Sequence, residues 1–103
     1  MYASPLSNEA ERRIALLFPP QQQEHVRQLL RDECGNNLPF LQTLDGSRLD
    51  RYRFAVLKLS DGDMDKLAKA IVLAKQDWRD LLMAAEFGHN IHAHEEWLPT
   101  KHW

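Results

Sequence analysis

The amino-acid sequence predicts an all-α fold, a single small bundle of about five helices, and three observations carry that expectation. Met64, Leu67, Ile71, Ala74, Trp78, Leu81 and Ala85 recur in alternating steps of three and four, which keeps one apolar seam on one side of a helix. Proline, glycine and Asn/Asp clusters fall between the periodic stretches, where helices stop. The stretch that also reads as a strand, with Tyr52, Phe54 and Val56 alternating, has a single β-branched residue, and its helical face of Leu49, Tyr52, Val56 and Leu59 persists over three turns.

Taken in order, Asn8 followed by Glu11 has capping-box spacing, and Ala10, Ile14 and Leu17 supply the stripe of a first short helix. Phe18-Pro19-Pro20 stops it, because proline cannot continue a helix interior, while Pro20 suits the first turn of the next. The second helix runs from Gln21 to Cys34 with Val26, Leu29, Leu30 and Cys34 as its apolar stripe, and Gly35 with two asparagines marks the exit. Residues 36–47 are a connector, broken by Pro39 and ended by the turn or cap signal Asp45-Gly46-Ser47. The third helix follows. Ser60-Asp61-Gly62-Asp63 then breaks the pattern and caps the long seam, which is one helix of about 24 residues or two that meet at Gln76, since Asp77 has the spacing to cap afresh. Ala70 to Ala74 is apolar all round, so this segment is expected at the centre of the bundle, covered on several sides. Phe87-Gly88 ends the region, and Asn90 to Leu98 forms a last short helix closed by Pro99.

One domain spanning residues 1–103 is expected, with 1–7 and 99–103 as flexible termini. Apolar residues make up 44% and charged residues 27%, the balance of a chain that buries a core. Through Ser60 there are eight basic and seven acidic side chains, and beyond it five and eight, so neither half has the basic excess that neutralising several phosphates requires. Nucleic acid is therefore an improbable partner on charge alone. Cys34 is the sole cysteine, which rules out an internal disulfide and points to the cytoplasm. The apolar runs reach five residues, as at Ala70 to Ala74, and the first residues show no secretion signal, so no membrane association is expected.

The densest group of candidate ligands is His89, His92 and His94 followed by Glu95 and Glu96. On a helix His92 and Glu96 share a face, and with His89 they form a candidate zinc or nickel site, although further ligands would have to come from His25, Cys34 or His102. The plainer expectation for these residues is a polar surface helix with no cofactor. Asp61, Asp63 and Asp65 open like a calcium loop, but its required glycine would fall at Lys66 and its bidentate glutamate at Val72, so they serve a helix N-terminus instead. Cys34 follows Asp32 and Glu33 at a helix C-terminus, which raises its pKa and leaves it an unreactive buried thiol. Arg48, Arg51 and Lys58 fall on neighbouring angles of the third helix, a basic stripe or a solvated flank. Trp78 belongs to the seam, while Arg79 projects away from it. Trp97 and Trp103 lie in a short terminal segment that a small core does not fully cover, so Trp97, Trp103 and Arg79 are the candidate interaction residues.

The stretches Phe18-Pro19-Pro20, Glu33-Cys34-Gly35-Asn36-Asn37-Leu38-Pro39, Arg53-Phe54-Ala55-Val56-Leu57-Lys58-Leu59-Ser60 and Asp77-Trp78-Arg79-Asp80-Leu81-Leu82-Met83-Ala84-Ala85 resemble a group of small all-helical bacterial proteins that has no assigned activity. The likeness extends over most of residues 10–98 and implies a bacterial cytoplasmic source, with no catalytic residue to carry over. This chain departs from the pattern at Glu86, where a glycine is expected between Ala85 and Phe87. The functional expectation is a non-catalytic helical interaction or adaptor protein with a protein partner or as a homodimer. The alternatives are a metal-binding protein or metal-dependent enzyme using the histidine cluster, and a regulator that contacts nucleic acid through Arg48, Arg51 and Lys58.

Overall fold

The computed structural model describes residues 6–35 and 46–103. Among them six helices follow in order, α1 (Asn8–Leu17), α2 (Pro20–Glu33), α3 (Gly46–Ser60), α4 (Met64–Gln76), α5 (Trp78–Ala84) and α6 (Ala93–Glu96), with no strand. The all-α bundle is as the periodicity requires. The connector expected at 36–47 lies outside the described residues except for 46 and 47, which open α3, and so does the expected flexible start apart from residues 6 and 7.

Helix ends are set by local chemistry. The cap of α1 is Ser7, whose Oγ accepts the Ala10 N–H at 3.1 Å, so Asn8 is the first helical residue and not the cap expected from the Asn8/Glu11 spacing. Phe18 turns extended ahead of Pro19, as the residue before a proline must, and Pro20 opens α2. Asp63 Oδ1 accepts from the Asp65 and Lys66 amides at 2.8 and 3.0 Å, and Asp77 Oδ1 from those of Arg79 and Asp80 at 3.1 and 3.2 Å. The long seam is therefore two helices, because Asp77 leaves the α region with φ −154° and restarts the ladder.

Between α3 and α4 the chain reverses through Asp61 and Gly62, with φ of 49° and 80°. A Cβ at Gly62 would stand 2.8 Å from the Leu17 carbonyl oxygen, so both the dihedral and the close approach to α1 demand glycine. The α5 end is a Schellman turn. Phe87 N–H reaches the Leu82 carbonyl at 2.8 Å and Glu86 N–H that of Met83 at 3.1 Å, with Glu86 itself left-handed at φ 65°.

The centre of the bundle is α3, which packs against α1, α4, α5 and α6. Tyr52, Arg53, Phe54, Ala55, Val56 and Leu57 are all buried, six residues in a row, which requires cover on every side. This corrects the expectation that Ala70 to Ala74 is the enclosed segment. Leu67, Ala70, Ile71 and Ala74 face the core, but Val72 is 50% exposed. The last helix is also shorter than the span from Asn90 to Leu98, limited to Ala93–Glu96.

Candidate functional site

Several basic side chains reach inward to the carbonyl ends of helices. The last turn of a helix carries unpaired carbonyls and the negative end of its dipole, so a cation with a flexible stem satisfies both. Arg53 Nε donates to the Cys34 carbonyl at 2.9 Å, at the end of α2, with its side chain buried. Lys58 Nζ donates to Ala85 and Arg51 Nη2 to Phe87, each at 2.8 Å, closing the end of α5. Arg13 on α1 donates from Nε to the Trp97 carbonyl at 3.0 Å, with its guanidinium carbon 4.1 Å from the Phe54 ring centroid. Two members of the expected basic stripe are thereby absorbed into the fold, and the Arg48 side chain lies outside the described residues.

Arg13 and Arg53 were legible in part. Arg13 flanks the stripe of Ala10, Ile14 and Leu17 on the helical wheel, and Arg53 flanks that of Leu49 and Val56, so each borders an apolar face. Glu9, four residues before Arg13, pairs with it at 2.8 Å, but the carbonyl acceptors that draw the two side chains inward lie 84 and 19 residues away.

Around Arg13 and Arg53 lies an enclosed polar group that sequence patterning missed. Asp50 is half-buried, and burial pushes its carboxyl above the usual range against the opposing pull of a Ser7 hydrogen bond and the charges of Arg53, His94 and Arg13. His94 is 3% exposed, with ring centroids of Phe54 and Phe87 at 5.5 and 6.3 Å. Its Nδ1 is buried without a hydrogen-bond partner, and burial lowers its pKa, so the ring is neutral at pH 7. Cys34 behaves as expected, although the main cause is burial, which pushes its thiol up to about 12 and removes thiolate chemistry at neutral pH.

The expected metal ligands His89, His92 and Glu96 are all exposed. His92 Nδ1 lies 3.0 Å from Glu95 Oε2, so its carboxylate neighbour is Glu95 and not Glu96. Among the described residues no group of three or more His, Cys, Asp or Glu side chains is placed to hold a metal ion. The expected interaction residues separate. Trp97 packs half-buried near Phe54 and Phe87, with centroids at 6.4 and 6.2 Å. Arg79 is exposed beside Trp78, its guanidinium carbon 5.2 Å from the indole centroid. Trp103 is 48% exposed, with Nε1 donating to the Ala15 carbonyl at 2.9 Å and Lys101 Nζ 4.0 Å from its ring.

Residues 99–103, expected as a flexible terminus, lie along α1. The His102 amide donates to Leu16 at 2.9 Å, and His102 Nε2 meets Asp61 Oδ1 at 2.8 Å. Two apolar features stay open. Met83, 71% exposed, lies over Gly88, with Ile91, 65% exposed, three residues on. A groove of about 200 Å³ runs beside α4, lined by Leu59, Lys66, Lys69, Ala70 and Leu73. No helix among the described residues is long and apolar enough to cross a membrane. No protein-family model, curated protein or solved structure matches this chain.

Proposed function

We propose that the chain is a non-catalytic helical interaction protein, engaging a protein partner or a second copy of itself. The observation that carries this reading is the exposure of two large apolar side chains, Met83 in α5 and Ile91 in the connection from α5 to α6, at 71% and 65%. Large apolar side chains held in water gain free energy when a partner covers them. Trp103 extends the same chemistry on α1, anchored at one end and half-open at the other, the disposition of an interface aromatic. Trp97 is withdrawn from this set by its packing on Phe54 and Phe87.

The engagement of Arg51 and Lys58 by the end of α5 weighs against a nucleic-acid face on α3, because neither cation is presented to a phosphate. Light scattering after size exclusion over a range of concentrations, with affinity capture from the source cell, tests the proposal. Concentration-dependent association or a captured protein, either one abolished by M83E/I91E, supports it. A strict monomer that captures nothing removes it.

A further inference from the structure

Lys66, Lys69, Ala70 and Leu73 sit at i, i+3, i+4 and i+7 of α4, so they share one side of the helix, which borders the Leu67, Ile71 and Ala74 face and meets it at Ala70, itself buried in the core. Leu59 at the end of α3 forms the opposite wall. The floor is apolar and the rim is cationic. A volume of about 200 Å³ is enough for one or two branched side chains, since a ring the size of benzene fills about 150 Å³. From Lys66 to Leu73 the groove follows about two helical turns.

The charges at its rim are what select an occupant. Lys75 is paired with Glu33 at 2.9 Å, and Lys58 is bonded to a carbonyl, but among the described residues the ammonium groups of Lys66 and Lys69 make no ion pair or hydrogen bond. Asp63, a carboxylate that feels both charges, is committed to capping the Asp65 and Lys66 amides.

We propose that this groove receives an acidic amphipathic helix of a partner protein, which sets apolar side chains between Leu59 and Leu73, over the buried Ala70, and carboxylates at Lys66 and Lys69. An extended anionic surface such as a membrane would also meet Asp63 and Asp65 at the start of α4, so two isolated lysines favour a narrow carboxylate-bearing helix. The inference rests on the chain being an interaction protein but uses a face separate from Met83 and Ile91.

The probe is a designed helical peptide with leucines four residues apart flanked by glutamates, titrated into isotope-labelled protein and followed by amide shifts. Shifts centred on Leu59, Lys66, Lys69, Ala70 and Leu73 are expected. K66E/K69E should weaken binding about tenfold, as two exposed ion pairs allow, and a peptide with lysines for its glutamates should bind the variant and not the parent. Absence of binding up to about 1 mM, shifts elsewhere, or indifference to the charge reversal overturns the proposal. So does a protein that ignores the peptide and binds phosphatidylserine vesicles through the same lysines. M83E/I91E should leave peptide binding intact, so failure of one face is distinguishable from failure of the other.

Discussion

Helices α3 and α4 run side by side, and composition alone ranks them in the wrong order for burial. Eight of the thirteen residues of α4 are apolar against seven of the fifteen in α3, yet α3 is buried without a break from Tyr52 to Leu57 and α4 leaves Val72 and its lysines in water. The difference lies in what the cations can reach. Arg51, Arg53 and Lys58 each donate to the carbonyl end of another helix, so Arg53 is buried and the other two half-buried with an acceptor for a charged group, although Arg51 Nε is enclosed without one. Lys66 and Lys69 face no such end, and their side of α4 remains a rim. A charged residue on a small bundle is therefore interior or exterior according to whether a helix terminates near it, which is a property of the assembled fold.

The largest expected effect tests that distinction directly. Arg53→Met keeps an unbranched apolar stem and removes the guanidinium that donates to Cys34 at the end of α2. The stranded carbonyl and the lost screening of Asp50 should cost about 3 kcal/mol, a fall of roughly 15 °C in Tm for a domain of this size. Lys69→Met removes an equal charge from the rim of α4 and should change stability by less than about 0.5 kcal/mol. Urea denaturation of both variants is decisive. Equal losses, or a larger one for Lys69, would show that the inward cations are incidental.

The same contrast marks how far the sequence could be read. Elements specified within four residues were legible: the proline stop after Phe18, the Asp63 cap, the Asp77 signal that splits the seam, and the seam itself from Leu67 to Ala85. The Asn8 cap was displaced by one residue because Ser7 has the same chemistry and better placement. What sequence patterning missed is non-local. The buried Arg13 and Arg53 and the tail along α1 depend on acceptors 19 to 88 residues away, and the neutral His94 on the rings of Phe54 and Phe87, which the fold brings to it. Within the histidine run the candidate ligands His89 and His92 lie outside, while the fold buries His94, which the sequence turned away from His92 without placing it in the core.

A smaller effect is expected at the end of α5, which two of the α3 cations close. Glu86 holds a left-handed conformation at φ 65°, which costs a residue with a Cβ about 1–2 kcal/mol, and it occupies the place where glycine ends most such turns. Glu86→Gly removes that strain but adds freedom to the unfolded chain, so the net gain should be about 0.5–1 kcal/mol. Denaturation midpoints should rise for Glu86→Gly and stay unchanged for Glu86→Ala, which keeps the Cβ. A loss with glycine would show that the Glu86 side chain contributes more than its backbone strain costs.

The weakest expected effect is one of pH, and it separates the inner and outer histidines of the C-terminal segment. Burial lowers the pKa of His94, so between its folded value and the ordinary 6.5 the unfolded chain holds more protons, and stability is lost as pH falls through that window. The hydrogen bonds from His102 to Asp61 and the Thr100 carbonyl raise the pKa of His102, so its contribution is complete below 6.5 and is lost as pH rises through the folded value. The two windows lie on opposite sides of 6.5, which places a shallow maximum of stability between them. His94→Phe, which fills the space between Phe54 and Phe87 with a ring that cannot charge, should flatten the acid limb relative to the parent. Asp61→Asn should flatten the alkaline limb alone, and only at low ionic strength, because that pair is at the surface. An acid limb that persists in His94→Phe would assign it to carboxylates whose pKa the fold lowers, such as Asp63 and Glu9, and not to Asp50, whose raised pKa acts in the opposite direction, and would deny His94 a share in it.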